Sequence, residues 1–237
     1  MIETFAALLL AHTLADFSFQ TNWMVQNKRR ILPMLAHIGV VLAASILTTG
    51  TPHPLLFALA AIHMLIDATK AAYFPNRLAS FLLDQAAHFA SITAIVVLQP
   101  TLWSTGIWAN IPWLPAAMTL LAGALIATQA GGYAVGLLMQ PWAAETPPGL
   151  RNGGRVIGTL ERGLIFLLVL TGQAAGIGFL IAAKSVLRFG TVKDEAKLSE
   201  YVIIGTLASF MWAIAASAAT IWLLNLLPSL GIPDLLP

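Results

Sequence analysis

The sequence contains no cysteine, and this absence excludes two kinds of site. Without thiols the chain forms no disulfide bonds and holds no metal through thiolate ligands. Any metal site must therefore be built from histidine and carboxylate ligands, a set that suits zinc, manganese or iron. The chain has only five histidines and ten acidic residues, so the positions of these few residues decide whether such a site exists.

Charged residues are also scarce. Only 9% of the residues are charged, whereas 58% are hydrophobic and the mean hydropathy is +0.83. A soluble domain carries about 25% charged residues, so the composition indicates a membrane protein with several spans. The net charge is +2 and no basic run is longer than Lys28–Arg30. The sequence therefore lacks the cluster of basic residues that is typical of nucleic-acid binding. We expect the lipid bilayer as a partner and no nucleic acid.

Several common catalytic motifs are missing from the sequence. It has no P-loop, no Gly-x-Gly-x-x-Gly, no His-Glu-x-x-His and no Gly-x-Ser-x-Gly. A cleavable signal peptide is not expected either, because the chain begins Met1-Ile2-Glu3 without a basic segment. The apolar run that follows contains His12 and Asp16, so we expect it to be retained as the first span.

The apolar segments predict an all-α transmembrane bundle of about eight spans. The predicted spans are residues 2–19, 31–47, 55–72, 78–98, 112–138, 156–171, 175–189 and 201–226. Residues 156–189 have two interpretations, either two helices that turn near Gly172 or one long kinked helix. We expect a five-span N-terminal bundle at 1–139, a cytoplasmic linker at 140–155 that contains Pro147-Pro148-Gly149, and a three-span C-terminal extension at 156–237.

The positive charges give an independent test of this arrangement. All twelve lysines and arginines lie in or beside loops on one side of the eight predicted spans. By the positive-inside rule that side is cytoplasmic, and both termini lie on the other side. A single helix at 156–189 would move the charged loop at 188–197 to the wrong side, so the charges favour two helices.

Seven ionisable side chains lie inside the apolar segments of the first ninety residues: His12, Asp16, His37, His63, Asp67, Asp84 and His88. Six of them form three pairs spaced four residues apart, so on a helix each pair shares one face. Given a rise of 1.5 Å per residue, the predicted topology places all seven roughly 5–18 Å inside the cytoplasmic face. His53 lies in an outside loop between two prolines, and we exclude it.

Ionisable groups inside a membrane are costly and suggest a functional site. We interpret the seven as a metal centre for one or two ions, with the histidines as ligands and the aspartates as ligands or general bases. Two alternatives are interhelical hydrogen bonds, worth under about 2 kcal/mol each, and a proton or ion relay. Seven groups at one depth are more than hydrogen bonding between helices needs, which favours the metal centre.

Four other charged residues have two interpretations each. Lys70 either contacts an anionic substrate or pairs with Asp67 at the membrane boundary. Lys28 is either a phosphate contact or, as we prefer, a positive anchor at the membrane surface. In the C-terminal half we expect an ion pair between Glu161 and Lys184 rather than a role in binding substrate.

The stretch His12–Lys28, followed by His37, His63–Lys70 and Asp84–His88, resembles a bacterial multi-pass membrane family known as domain of unknown function 3307. The resemblance covers about residues 2–98, and residues 157–205 are similar to the C-terminal extension of its longer members. It implies a location in the bacterial inner (cytoplasmic) membrane but brings no established activity. More distantly, the His and Asp pairs are similar to membrane-bound metal-dependent hydrolases of the YdjM type, which have glycine where this chain has Ala15.

These observations together predict a metal-dependent hydrolase with zinc or manganese as its cofactor. It would act near the cytoplasmic leaflet on a lipid head group or another amphiphile with a phosphate or ester bond. The predicted catalytic residues are Asp16, Asp67, Asp84 and Lys70. One alternative is a small transporter or channel that couples protons or ions through the same carboxylates, and another is a non-catalytic membrane adaptor. The apolar outer halves of the first four spans argue against transport, and a homo-oligomer is compatible with the sequence.

Overall fold

The computed structural model of the protein describes residues 1–145, 150–189 and 196–230. Within these residues the chain is helical and has no β-strand, which confirms the all-α prediction. Its α-helices are α1 (Ile2–Thr13), α2 (Asn22–Gln26), α3 (Ile31–Thr49), α4 (Pro54–Tyr73), α5 (Leu78–Leu98), α6 (Leu114–Leu125), α7 (Gly131–Met139), α8 (Gly153–Leu170), α9 (Ala175–Phe189) and α10 (Ala196–Leu224).

Five helical segments of the described chain are long and apolar enough to cross a bilayer, which makes this a multi-pass membrane protein. They are Ile31–Thr49, Pro54–Tyr73, Leu78–Leu98, Leu114–Ala144 and Lys197–Leu224. The other three predicted spans meet these criteria less well, because α1 has only 12 residues, α8 carries three charges and the apolar part of α9 is short. The count of eight spans and the side of the termini therefore stay predictions.

Residues 156–189 form two helices, as the charge distribution favoured. Helix α8 ends at Leu170 and α9 begins at Ala175. Between them Gly172 has a φ of 70°, in the left-handed region. A residue without a Cβ adopts this conformation readily, so glycine suits a turn that ends one helix and reverses the chain.

The chain divides into two compact units, which we describe separately. The first unit comprises Met1–Leu125 and the described residues from Trp222 onward, and the second comprises the described residues of Ile126–Ile221. Part of the predicted linker (146–149), part of the charged loop (190–195) and the C-terminal tail (231–237) lie outside the described residues. The division into 1–139, 140–155 and 156–237 stays a prediction.

Helix α1 is the central helix of the first unit. It packs against α3, α5 and α6, while α4 packs against both α3 and α5. Ala6, Ala7 and Ala11 are almost completely buried, and such small side chains let neighbouring helices approach closely. Leu8 belongs to an apolar cluster with residues of α4 and α5. The C-terminal end of α1 therefore lies among three other helices, and this is where its polar residues occur.

Helix α1 continues into a π-helical turn at Leu14–Ser18. In this turn the Phe19 N–H donates to the Leu14 carbonyl at 2.8 Å, a bond to the fifth residue back. A π turn holds one more residue than an α-helical turn and so changes the direction of the side chains within it. Asp16 lies inside this turn.

The second unit is built around a buried arginine. Helix α8 packs against α7, against α9 and against a second π-helical turn at Ile126–Ala130. Arg162 of α8 is 3% exposed. Its Nε and Nη2 donate to the Thr128 carbonyl at 3.2 and 2.9 Å, and its Nη1 donates to Ser209 Oγ at 3.0 Å. Neutral oxygens therefore hold this charge. A Cβ at Gly132 or Gly158 would lie 2.9 or 3.0 Å from its guanidinium nitrogens.

Candidate metal centre

The seven ionisable residues meet in the first unit. Six of them are buried, and Asp16 has a side chain that is 9% exposed. Four stretches of chain supply them, namely α1 with its π turn, α3, α4 and α5. This is the convergence that the predicted common depth implied.

The three pairs spaced by four residues are neighbours rather than bonded partners. His12 Nδ1 lies 3.8 Å from Asp16 Oδ2, and His63 Nε2 lies 3.8 Å from Asp67 Oδ2. Between His88 Nε2 and an Asp84 oxygen the separation is 3.6 Å. These distances are too long for hydrogen bonds. The helical spacing therefore places each pair on one face of its helix. The two members do not hydrogen-bond each other, so their lone pairs can bind another group.

The closest approaches are between helices. His37 Nε2 lies 3.2 Å from His63 Nε2, 3.4 Å from Asp16 Oδ1 and 3.3 Å from Asp67 Oδ2. His63 Nε2 is also 3.3 Å from Asp16 Oδ1. Two imidazole nitrogens and two carboxylate oxygens therefore face one small volume. Such a set of nitrogen and oxygen atoms is the donor chemistry of zinc and manganese sites.

The imidazole rings also lie against one another. The rings of His63 and His88 stack with centroids 4.0 Å apart, and His12 lies 5.0 Å from His88 and 5.8 Å from His63. A small cavity of about 10 Å³ adjoins these three rings. Its other lining residues are Leu8, Val41, Ser45, Leu59, Ser91 and Ile92. This volume is close to the minimum that a single water molecule needs.

Several buried polar atoms of the cluster have no hydrogen-bond partner among the described residues. They are His12 Nδ1, Asp16 Oδ1, His37 Nδ1, Asp84 Oδ1 and both ring nitrogens of His88. A buried polar group left unpaired costs about 1–3 kcal/mol, and native structures contain few of them. So many in one place fit a centre whose lone pairs bind a cation.

His12 shows this arrangement most clearly. Its Nε2 lies 3.2 Å from the side-chain oxygen of Gln85, an acceptor, so this nitrogen carries the proton. The other ring nitrogen then has a free lone pair, and it is one of the buried atoms without a partner. Histidines that bind metals usually donate their second nitrogen to such an oxygen, which fixes the tautomer and the ring orientation.

Three groups of ligand atoms have the spacing for a metal ion, each with its atoms within 4.8 Å of one another. They are His12/His63/His88, Asp16/His37/His63 and Asp67/Asp84/His88. The second and third groups share no residue, so the two together offer three ligands to each of two ions. Asp67 lies between them, because its Oδ2 is 3.3 Å from His37 and its Oδ1 is 3.9 Å from His88.

Two lysines contact the carboxylates of this cluster. Lys28 Nζ donates to both oxygens of Asp67 at 3.1 and 3.2 Å. Lys70 Nζ donates to Asp84 Oδ2 at 2.8 Å. The structure thus corrects the interpretation of Lys28 as a surface anchor, because its segment folds back onto α4. It also corrects the expected pairing of Lys70 with Asp67, because Lys70 reaches across to the next helix.

The surroundings of Lys28 stabilise its charged form. This residue lies in the connection between α2 and α3, outside the spanning helices. Burial favours its neutral form, but the carboxylates of Asp67 and Asp16 outweigh this effect and hold the pKa of the Lys28 ammonium above its usual value. Lys28 is therefore a cation at neutral pH.

Three further polar sites complete the comparison with the sequence-based predictions. His53 caps α4, because its Nδ1 accepts the Leu55 N–H at 3.2 Å, and it belongs to none of the three groups found in the described residues. The ion pair of Glu161 and Lys184 is confirmed at 2.8 Å, in the second unit. Sequence reasoning missed the role of Gln85, which touches both His12 and Asp84. The available signal was an amide inside an apolar helix, one position after an aspartate.

The fold and the cluster define a class of protein, a helical multi-pass membrane protein with a buried His/Asp centre. Residues 4–111 match the family described as Protein of unknown function (DUF3307), which confirms the resemblance in the N-terminal half. The matched range contains every member of the cluster. No curated protein and no solved structure matches the chain. The similarity to YdjM-type hydrolases stays a prediction.

Proposed function

We propose that this protein is an integral membrane, metal-dependent hydrolase of the bacterial inner membrane. Its metal centre consists of the seven His and Asp residues, and it acts near the cytoplasmic leaflet on the head group of a lipid or a similar amphiphile. The observation that carries this proposal is the pair of ligand groups with no shared residue, Asp16/His37/His63 and Asp67/Asp84/His88.

The unpaired atoms favour a metal centre over hydrogen bonding between helices. Polar side chains that join helices by hydrogen bonds satisfy one another's donors and acceptors. Here the reverse holds, since the buried oxygens Asp16 Oδ1 and Asp84 Oδ1 and both nitrogens of His88 have no hydrogen-bond partner within the described residues. A divalent cation accepts these lone pairs directly.

The chemistry of hydrolysis follows from the donor set. A bound divalent ion lowers the pKa of its water towards about 7 and polarises a phosphoryl or carbonyl oxygen. A metal ion held by these residues would activate water for a hydrolysis that forms a bond from the water oxygen to phosphorus or carbon and breaks the bond to the leaving oxygen, which would take up a proton. In this proposal a carboxylate of Asp16, Asp67 or Asp84 accepts the proton of the water. The cavity beside His12, His63 and His88 has a volume of about 10 Å³, close to the minimum that one water molecule needs.

The residues around the two lysines support an amphiphilic substrate. Phe19 and Trp23 precede Lys28 in the chain, and Tyr73 follows Lys70 at the end of α4. These three side chains are 53%, 48% and 82% exposed. Of these, the tryptophan and tyrosine side chains are of the kind that concentrates at the level of lipid head groups. The lysines therefore lie where a head group would be found.

The test is metal binding and hydrolysis by protein purified in detergent and stripped of metal. We expect one or two zinc or manganese ions per chain by elemental analysis. His63→Ala and His88→Ala each remove one ligand. We expect binding at least about 100-fold weaker, because the loss of a residue that only hydrogen-bonds a ligand already costs about 10–100-fold. His53→Ala is the matched control, because His53 lies outside the cluster, and it leaves binding unchanged.

Activity is assayed with bis(p-nitrophenyl) phosphate, p-nitrophenyl phosphate and p-nitrophenyl butyrate. The proposal expects metal-dependent release of p-nitrophenol from at least one of these probes, abolished by a chelator and restored by metal. Failure to bind metal would overturn the whole proposal. Metal binding without hydrolysis of any probe would overturn the hydrolase and leave a structural metal centre. Proton flux in metal-free protein would favour the transporter instead.

A further inference from the structure

We propose that Lys28 and Lys70 form a receptor for a phosphate group, and that divalent ions open this receptor by taking over the carboxylates that hold the two lysines. The inference rests on the metal centre proposed above. It goes further by choosing phosphate over carboxylic esters as the substrate class and by making metal and phosphate binding depend on each other.

The charge of the site is the first argument. Residues 1–125 contain four acidic residues, and three of them, Asp16, Asp67 and Asp84, lie in the cluster. The fourth, Glu3, pairs with the N-terminal amine. With neutral histidines, the three carboxylates and two ammonium groups sum to one negative charge. One divalent ion changes this to one positive charge, and two ions to three positive charges.

An excess of positive charge in a buried site requires an anion. The first unit offers no further carboxylate to supply it, because its acidic residues are already counted. A carboxylic ester is neutral and would leave the charge uncompensated. A phosphodiester carries one negative charge, which balances the site loaded with one ion. A phosphate monoester carries about two negative charges, which lowers the charge of the site loaded with two ions from three to about one.

The positions of the ammonium groups are the second argument. Lys28 holds Asp67 and Lys70 holds Asp84, and these two carboxylates belong to the same ligand group with His88. A cation in that group competes with both ammonium groups for the same oxygen lone pairs. Once the carboxylates turn to the cation, two ammonium groups with three donors each lose their partners next to it. Lysine ammonium groups are common phosphate ligands.

The order of exposure is the third argument. The side chains of Lys28 and Lys70 are 23% and 22% exposed, whereas those of Asp67 and Asp84 are 1% and 4% exposed. The lysines thus form the outer layer of the site and the carboxylates the inner layer. An anion that approaches from the solvent therefore meets the ammonium groups first. The proposed metal ions lie deeper, beside the carboxylates.

The second unit offers a matched control for Lys70. Lys184 Nζ donates to Glu161 at 2.8 Å and lies 5.7 Å from the centroid of the Phe210 ring. Lys70 Nζ donates to Asp84 at the same distance and lies 5.6 Å from the centroid of the Phe81 ring. Glu161 belongs to none of the ligand groups found in the described residues. Lys184 therefore tests what an ordinary lysine pair contributes.

The experiment measures binding of radiolabelled inorganic phosphate by equilibrium dialysis to the full chain in detergent. Metal content is determined first in each sample, so that failure of the metal centre is distinguished from failure of the receptor. We expect phosphate to bind metal-loaded protein at least about tenfold more tightly than metal-free protein, a difference of about 1.4 kcal/mol. Competition with short-chain phosphatidic acid shows whether a lipid head group binds more tightly than free phosphate.

The variants Lys28→Gln and Lys70→Gln should have opposite effects on the two ligands. Each should weaken phosphate binding at least about tenfold, while metal affinity stays the same or rises because a competing cation has gone. Lys70→Arg should restore part of the phosphate affinity, and Lys184→Gln should change neither. A merely structural role would weaken both ligands together. Phosphate binding that is independent of metal, or unchanged in both glutamine variants, would overturn the proposal.

Discussion

Lys70 of the first unit and Lys184 of the second have almost the same immediate surroundings. Each donates to a carboxylate at 2.8 Å, and each lies over a phenylalanine ring. The carboxylates differ. Asp84 has a second oxygen that is buried and unpaired, 3.6 Å from His88, whereas Glu161 has no metal-ligating neighbour in the described groups. The two lysine pairs therefore differ in what else the carboxylate contacts.

The same contrast holds for the two units as a whole. In the second unit the buried Arg162 donates to two neutral acceptors, the Thr128 carbonyl and Ser209 Oγ. Its Nε, Nη1 and Nη2 all take part in these hydrogen bonds. In the first unit several buried nitrogen and oxygen atoms of the cluster have no hydrogen-bond partner among the described residues. The arrangement around Arg162 suits a structural role, whereas the ligand groups of the first unit suit the binding of a metal ion.

The largest effect that we expect is on stability, from Arg162→Ala. This change removes the hydrogen bonds that the charged guanidinium donates to the Thr128 carbonyl of the π turn and to Ser209 Oγ, at a cost of about 3 kcal/mol. Chemical unfolding in detergent measures the loss. Metal affinity should stay as in the wild type, because Arg162 takes no part in the cluster. A large drop in metal affinity would break the distinction between the two units.

Metal itself should stabilise the protein by nearly as much. At a free metal concentration 100 times Kd, binding to the folded state alone adds about 2.7 kcal/mol to the free energy of unfolding. A chelator should reverse the gain, and thermal unfolding with and without metal measures it. Asp67→Asn should abolish most of this gain, because Asp67 lies between the two ligand groups.

Glu161→Gln is the control for that result, since it should leave the stabilisation by metal intact. If Asp67→Asn and Glu161→Gln lost the stabilisation by metal equally, the effect of the metal would not depend on the cluster. In that case the seven residues would not be its ligands.

The smallest effect should come from the ion pair in the second unit. The Lys184 and Glu161 side chains are 18% and 15% exposed, and partly exposed pairs contribute little because solvent screens them. Lys184→Gln should therefore lower the free energy of unfolding by about 1 kcal/mol or less. A loss several times larger would make this pair an essential part of its unit and sharpen the contrast with Lys70.

The sequence predicted the meeting of the seven residues because two simple signals agree. The spacing of four residues placed the members of three pairs on the same helix face. The positive charges indicated the depth of each residue in the membrane. This depth added His37 to the set, although no ionisable residue lies four positions from it. The π turn around Asp16 has no such signal, so the direction of this carboxylate was not predictable. Lys28 was misinterpreted because it lies on a connection, and hydrophobic periodicity says nothing about where a connection folds.

The position of Lys28 also has a kinetic consequence. Lys70 is part of the long helix α4, whereas Lys28 lies between α2 and α3. A short connection opens at a lower free-energy cost than a packed helix, so Lys28 can leave Asp67 while the helices stay in place. We therefore expect residues 20–30 to set how quickly ions enter and leave the centre, and the packing of the spanning helices to set how tightly they are held.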